Sequence, residues 1–342
     1  MVEFVSLQNA HDLDTFVMQH PNGHFMQSSC WGKIKKEKPW TGLLLRDQNG
    51  TIKGSMALFA YKMPALHTAL YYAPRGPIFD TGDYDTFSSL VSAAKEYAKQ
   101  HNGYMLRIDP LITEDNKDFQ QVTKKLGMRC NQASDFSLFQ PRMCYVSDLQ
   151  GLTKDTLASH YHRTTRYKIN RSLHTDMSIR IGTKEDIPRF YEMMLQVGKK
   201  NNFPIEPQDF FENLLDGLGE HAQLFLAEKD NIPIAATIMV HMADRAWFLY
   251  GCSDQNALDD HPNERLQWEM QRAAIDFGCR WFDFRGVEGY PDPSNPKYGL
   301  HRYKQGFGAE FRSYAGQLDL TLHPITATAV RVAQKVLKLR HN

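Results

Sequence analysis

The sequence predicts an α/β (α+β) protein of two tandem domains, each a mixed sheet with helices packed on it. Three observations carry that prediction. The chain has 342 residues, which suits two domains of ~150 residues better than one. Six elements recur in the same order at an offset of about 175–180 residues, a tandem duplication and not a solenoid. Each copy holds a hairpin with an Asn/Asp/Gly turn that leads into an aromatic strand.

The elements follow in order. Residues 6–20 place Leu7, Leu13, Phe16 and Val17 at helical spacing, with Asp12 and Asp14 early, and predict an amphipathic helix. Residues 183–200 repeat the plan, with Thr183 as N-cap and Asp186 three residues on, a capping box with Asp for Glu. Hairpins follow at 42–58 and 223–238, then aromatic strands at 69–73 and 246–250. Helices at 84–100 and 263–277 end at Gly103 and Gly278, as helix C-termini often do. Strands at 104–108 and 281–284 and short terminal helices near 124–128 and 303–308 complete each copy.

Composition limits the function classes. Hydrophobic residues make up 42% and aromatics 12%, enough for two cores, while a charged fraction of 23% in near balance excludes a disordered chain. With a net charge of +1, any nucleic-acid contact must come from a local patch. No apolar run reaches the ~20 residues of a membrane span, and the N-terminus lacks the pattern of an export signal. A cytoplasmic protein is expected. Cys30, Cys130, Cys144, Cys252 and Cys279 are scattered and odd in number, so they read as reduced thiols. His160, His162 and the other histidines form no metal set, and none is expected.

The element order resembles that of the GNAT (acyl-CoA N-acyltransferase-like) fold, whose central sheet splays to admit an acyl donor; by itself the analogy implies only acyl transfer. Coenzyme A is disfavoured as the donor. Neither 73–82 nor 251–262 carries the glycine pattern that binds a pyrophosphate, and Asp254, Asp259 and Asp260 bring negative charge to that place.

Seven segments in order then resemble one family, the FemABX aminoacyltransferases of peptidoglycan-bridge synthesis. They begin at Phe25, Tyr72, Leu106, Phe139, Arg163, Trp247 and Tyr303, and include Gln27-Ser28-Ser29-Cys30-Trp31, Pro74-Arg75-Gly76-Pro77 and Lys304-Gln305-Gly306-Phe307-Gly308. Residues 177–225 have no heptad run for the coiled-coil arm of longer members, so the compact form is expected. The resemblance implies domain 1 over 1–147, completed by about 323–342 as the C-terminal segment returns to it, and domain 2 over 148–322. It implies transfer of Gly, Ala or Ser from aminoacyl-tRNA to the stem peptide of a peptidoglycan precursor, either lipid II or UDP-MurNAc-pentapeptide, with no cofactor. Two rival readings stand beside it, a coenzyme A-dependent N-acyltransferase and a non-catalytic RNA- or precursor-binding protein.

The same resemblance assigns residues. Asp109, at a strand's mouth before Pro110, would accept a proton from the attacking amine or orient it; otherwise it is a turn aspartate. Lys304 would stabilise the oxyanion or departing ribose oxygen; otherwise it is a solvated helix lysine. Lys35, with Lys33 beside it, would hold the precursor's phosphate as a point charge; otherwise the two belong to a basic surface run with Lys36 and Lys38. Arg75 would grip an anion or pin its own loop, and Tyr250 would lie against the precursor; otherwise Tyr250 is a half-buried strand tyrosine with a hydrogen-bonded hydroxyl. Arg163, Arg166, Lys168 and Arg171 form a basic stretch suited to tRNA phosphates, or a solvated helix face. Glu206 and Phe210 depart from the precursor-binding arginine and tyrosine of compact relatives. A monomer is expected. The basic amphipathic segment 326–340, with Lys335, Lys338, Arg340 and His341, packs its apolar stripe on the first domain with its basic face solvated, or allows a transient membrane-surface contact.

Overall fold

The computed structural model describes residues 1–201 and 203–340, the side chains of 334–340 excepted. The strands are β1 (Val2–Val5), β2 (Trp40–Arg46), β3 (Ile52–Met63), β4 (Thr68–Ala73), β5 (Ile78–Phe79), β6 (Gly103–Ile108), β7 (Arg129–Asn131), β8 (Met143–Asp148), β9 (Ser178–Ile181), β10 (Ala222–Lys229), β11 (Ile232–Met242), β12 (Arg245–Ser253), β13 (Trp281–Gly286), β14 (Glu310–Ser313) and β15 (Gln317–Thr321). The helices are α1 (His11–Gln19), α2 (Ser29–Ile34), α3 (Tyr84–Gln100), α4 (Lys117–Lys125), α5 (Arg163–Ser172), α6 (Ile187–Asn201), α7 (Gln208–Leu218), α8 (Pro262–Asp276), α9 (Tyr298–Gln305) and α10 (Pro324–Arg340).

The chain forms two compact units, one of residues 1–142 with the chain from Ser313 onward, the other Met143–Arg312. The first carries a sheet in the order β1-β2-β3-β4-β6-β15-β7, with β5 beside β3. Phe87, Leu90 and Ala94 of α3 and Phe119 of α4 pack on one of its faces. On a second cluster Ala327 and Val330 of α10 meet Leu70 and Tyr104. The other unit carries the order β14-β8-β13-β12-β11-β10-β9, with Leu266, Met270 and Ala274 of α8 in its core. Both sheets are mixed, because β4–β6 and β12–β13 are parallel pairs among antiparallel ones. No helix among the described residues is long and apolar enough to cross a membrane.

Local signals held where a short-range interaction sets the structure. Thr183 and Asp186 form the capping box, entering a 3-10 turn that runs into α6. The β10–β11 turn puts Asp230 and Asn231 at φ 54° and 60°, the left-handed pair that a tight hairpin requires. The first helix starts later than expected, at His11, because Asn9 Oδ1 accepts from the Ser6 backbone N–H and holds the preceding residues in a turn.

The domain boundaries fall elsewhere than 147/148 and 322/323. β8 pairs with β13 and belongs to the second sheet, whereas β15 pairs with β6 and β7 in the first. Residues 313–322 do not form one strand, since β14 ends at Ser313 and β15 begins at Gln317, and the chain returns at Ser313, ahead of the expected 323. Gly316 makes the break possible. Its φ is +99°, and an added Cβ would lie 2.5 Å from the Asn131 carbonyl oxygen. The side chains of Lys335, Lys338 and Arg340, and all of His341, lie outside the described residues.

Arg142 holds the place where the chain leaves the first unit and comes back. Its buried guanidinium donates through Nη1 to Glu114 Oε2 at 2.7 Å, Ser313 Oγ at 2.9 Å and the Tyr314 carbonyl at 3.1 Å. Its own carbonyl accepts from the Tyr314 N–H at 2.9 Å. Replacing it with methionine (Arg142→Met) leaves these acceptors without their charged donor, and a loss of about 2–3 kcal/mol is expected. Urea unfolding checks this, and an unchanged midpoint would show that the knot carries no stability.

Candidate functional site

In the first unit the site grows from the parallel pair β4 and β6, which stays hydrogen-bonded up to Ala73 and Ile108. Just beyond, the chain turns at Arg75, whose φ is 59°. Two buried side chains hold that turn. Gln27 Nε2 donates to the Pro74 carbonyl at 2.8 Å, while Gln27 Oε1 accepts from the Ala57 N–H at 2.8 Å. A Cβ at Gly76 would strike Gln27 Oε1 at 2.4 Å, so only glycine fits beneath it. Asp109 closes the other side. Its Oδ1 accepts from the Arg75 backbone N–H and its Oδ2 from the Tyr72 hydroxyl, each at 2.6 Å.

Burial raises the Asp109 carboxyl above its ordinary value, against the nearby Arg75 charge and the Tyr72 and Arg75 hydrogen bonds. Burial, with the Asp109 charge next, drives the Tyr72 phenol well upward. Both carboxylate oxygens are thus committed to the loop. The Arg75 guanidinium donates to the Pro141 carbonyl at 2.7 Å and lies 6.0 Å from the Tyr314 ring centre. Asp109 and Arg75 are therefore brought together, through the backbone of the arginine. Lys33 and Lys35 stand at the end of α2, which Ser28 caps through the Trp31 N–H. Lys33 is exposed, and the Lys35 ammonium sits 5.6 Å from the Trp31 ring centre.

The second unit differs at the corresponding pair. β12 and β13 are hydrogen-bonded only over Arg245–Trp247 and Trp281–Asp283, after which they part. Beyond that point, toward the C-terminal end of β12, lies a cavity of about 300 Å³ lined by Thr237, Phe248, Gly251, Asn263, Gln267 and Tyr303, among others. Gln267 is buried, and its Oε1 has no hydrogen-bond partner among the described residues. Tyr250 packs its ring against Phe211 at 5.1 Å and Phe210 at 6.1 Å. Burial raises its phenol, Glu206 adding to the shift and Arg285 opposing it. The departures noted from the sequence thus both face Tyr250, Phe210 by ring packing and Glu206 by charge.

Lys304 is buried, and its ammonium donates to the carbonyls of Phe284, Arg285 and Gly286 at 2.7, 3.0 and 2.6 Å. Burial lowers its pKa to about 8, so at neutral pH it still carries three N–H donors for three acceptors. These carbonyls surround Arg285, which has φ 63° and donates its backbone N–H to Asp283 Oδ1 at 2.6 Å. Lys304 therefore fixes the turn at the end of β13, as Asp109 fixes the turn after β4.

Of the basic stretch on α5, Arg163 and Arg171 are exposed. Arg166 donates to the Tyr161 carbonyl at 2.9 Å, and Lys168 pairs with Glu264, in the first turn of α8, at 2.8 Å. Tyr72, Gln27 and Arg285 are absent from the residues singled out in the sequence. Tyr72 and Gln27 lay within the quoted segments, but a polar side chain's partner is not encoded at a fixed spacing. For Arg285 the signal was Arg285-Gly286 after a strand, the same dipeptide as Arg75-Gly76.

Comparison with known proteins places these features in a wider set. The model of the FemAB family matches residues 9–230 and 227–335. Two curated relatives are each described as a lipid II:glycine glycyltransferase. One, from Staphylococcus epidermidis, is 25% identical over 96% of this chain and 95% of its own; the other, from Staphylococcus aureus, is 24% identical over the same shares. The crystal structure of FemX superposes with a TM-score of 0.87 at 23% identity, covering 96% of this chain and 99% of that one. A tandem GNAT protein from the clavulanic acid pathway has a TM-score of 0.55 at 10% identity, over 95% and 99%. The fold is that of tandem GNAT-like domains.

Two substitutions separate holding the turns from chemistry. Tyr72→Phe removes a hydrogen bond to a buried carboxylate, with an expected loss of about 1.5–3 kcal/mol. Lys304→Met leaves three carbonyls without their donor and is expected to cost about 3 kcal/mol. Denaturant titration reads both, and an unchanged midpoint in Lys304→Met would return that ammonium to a purely chemical role.

Proposed function

Because the chain belongs to the FemAB family, we propose that it is a transferase of peptidoglycan synthesis that adds an amino acid, glycine before alanine or serine, to the stem peptide of a lipid II-type precursor. Aminoacyl-tRNA is the donor in this reading. The observation that carries it is the parting of β12 and β13 after Trp247 and Asp283, with a cavity by β12 beyond that point. An opened pair of parallel strands admits an acyl group to the sheet's interior, and a cavity of about 300 Å³ suits a small one. The β4–β6 pair has no such opening. The glycyltransferase relatives support glycine as the group moved.

The first turn of α8 argues against coenzyme A. A pyrophosphate at that helix start would meet the carboxylate of Glu264, which is already paired with Lys168. An aminoacyl ester needs no such phosphate site, and it already carries the activation energy. The nitrogen lone pair of the acceptor amine attacks the ester carbonyl carbon. The ribose oxygen leaves, and the proton lost by the amine balances the alkoxide.

Positioning supplies most of the rate in such a step. In this reading Asp109 acts through the Arg75 turn and Lys304 through the Arg285 turn, because their polar atoms are already engaged. Arg75, Lys35 and Lys33 hold the precursor, and Tyr250 lies against it. Arg163 and Arg171, with exposed Tyr167 between them, meet RNA phosphates and a base.

The test is incubation with Gly-, Ala- and Ser-tRNA and either lipid II or UDP-MurNAc-pentapeptide, following the labelled amino acid. Glycine is expected on lipid II, with no thermal shift from acetyl-coenzyme A. No incorporation from any charged tRNA, together with a shift by acetyl-coenzyme A, overturns the reading.

A further inference from the structure

At the cavity beside β12, one buried polar group has no partner in the fold. Gln267 of α8 is 2% exposed, and its Oε1 meets no hydrogen-bond donor among the described residues. Leaving a buried acceptor unsatisfied is costly, so a ligand that completes it gains where the fold does not. Gln267 lines the cavity of about 300 Å³ that lies past the parting of β12 and β13. Its amide therefore sits where the reading above brings the acyl group of the donor.

Two lining residues nearby have already used donors elsewhere. Thr237 on β11 gives its hydroxyl hydrogen to Met270 Sδ at 3.3 Å. Asn263, one turn before Gln267 on α8, donates through Nδ2 to Ser253 Oγ at 3.2 Å. What Thr237, Asn263 and Gln267 offer a ligand is mainly oxygen lone pairs. No carboxylate lines the cavity among the described residues, and the lining Lys200 is bound to Gln255 Oε1. Neutral acceptors without a counter-charge suit an uncharged N–H group better than an ammonium ion. An acyl group entering here excludes water from this wall, so it must bring the N–H that the Gln267 oxygen lacks. The free-base amine of an aminoacyl ester brings one on the carbon next to the ester carbonyl. An acetyl group brings none.

We propose that Gln267 is the specificity-determining contact for the donor: its side-chain oxygen accepts a hydrogen bond from the α-amine of the aminoacyl group and so selects an aminoacyl ester over an acyl ester without an amine. Thr237 and Asn263 are the neighbouring acceptors on the same wall. The inference rests on the function proposed above, and it adds a residue that reads the transferred group.

The probes are two tRNAs ending in 3′-amino-3′-deoxyadenosine, one acylated with glycine and one with acetate, each through an amide that cannot be transferred. Binding to the full chain is measured by calorimetry. The RNA contacts are common to both probes, so the ratio of the two Kd values isolates the amine. The wild-type chain is expected to bind the glycyl form at least about tenfold tighter. Gln267→Met keeps the length of the side chain and removes the acceptor; it is expected to bring the two Kd values within about threefold, by weakening the glycyl form alone. Gln267→Glu keeps an oxygen acceptor and is expected to keep the preference. Equal affinity of the wild-type chain for the two probes overturns the proposal, as does equal weakening of both probes by Gln267→Met, which would make the amide a contact to the acyl carbonyl. These outcomes leave the proposed reaction standing. Failure of the wild-type chain to bind either tRNA overturns the donor of that reaction, and this inference with it.

Discussion

One buried guanidinium determines the architecture of the first unit. Arg142 is the last residue before the chain departs, and it binds Ser313 and Tyr314, the first residues on return. Without that junction β15 would have no fixed entry, and β15 is the strand that carries Asp319 opposite Arg107 and joins β7 to the sheet. The sheet thus depends on a polar contact among residues about 170 positions apart in sequence. A hydrophobic contact is non-directional and would not set the register of two strands so narrowly. A charged donor with several acceptors does so, because any shift leaves a buried polar group without its partner.

The same principle governs the functional site. Asp109 and Lys304 are the residues most easily assigned to proton transfer and charge stabilisation, yet each is spent on the backbone of an arginine in a left-handed turn. Left-handed φ is costly for a residue with a side chain, and it persists here because the turns are held from both sides. Arg75 has Gln27 and Asp109 about its loop; Arg285 has Asp283 and Lys304. The outcome is two guanidinium groups at the ends of strands, carried on turns with little freedom. Rigid placement of charge is what a transfer reaction requires, since orientation supplies much of its rate.

The two copies have diverged at one structural point. The parallel pair remains closed in the first unit and parts early in the second, where a cavity adjoins β12. Closed, β4 and β6 support the Tyr72–Asp109–Arg75 clamp. The first unit keeps a larger cavity, of about 940 Å³, on the α10 face instead, lined by both cationic and apolar side chains. A duplicated fold thereby offers two chemically different spaces, one small and lined mainly by neutral side chains and one large and charged.

What the sequence determined alone was the local and the periodic. Thr183 with Asp186, the Asp230–Asn231 turn and the limits of α3 depend on residues a few positions apart, so their signals survive in one dimension. The repeat, the two-unit plan and the glycines beside the candidate residues were legible for the same reason. Tertiary structure decided the rest. Whether residues 313–322 form one strand or two depends on Gly316 fitting against Asn131 and on Arg142 waiting for Ser313. That Asp109 and Lys304 serve turns depends on a tyrosine hydroxyl 37 residues away and on carbonyls 18–20 residues away. Hydrogen-bond geometry is a property of atoms in space, and no spacing along the chain reports which acceptor a buried donor will meet.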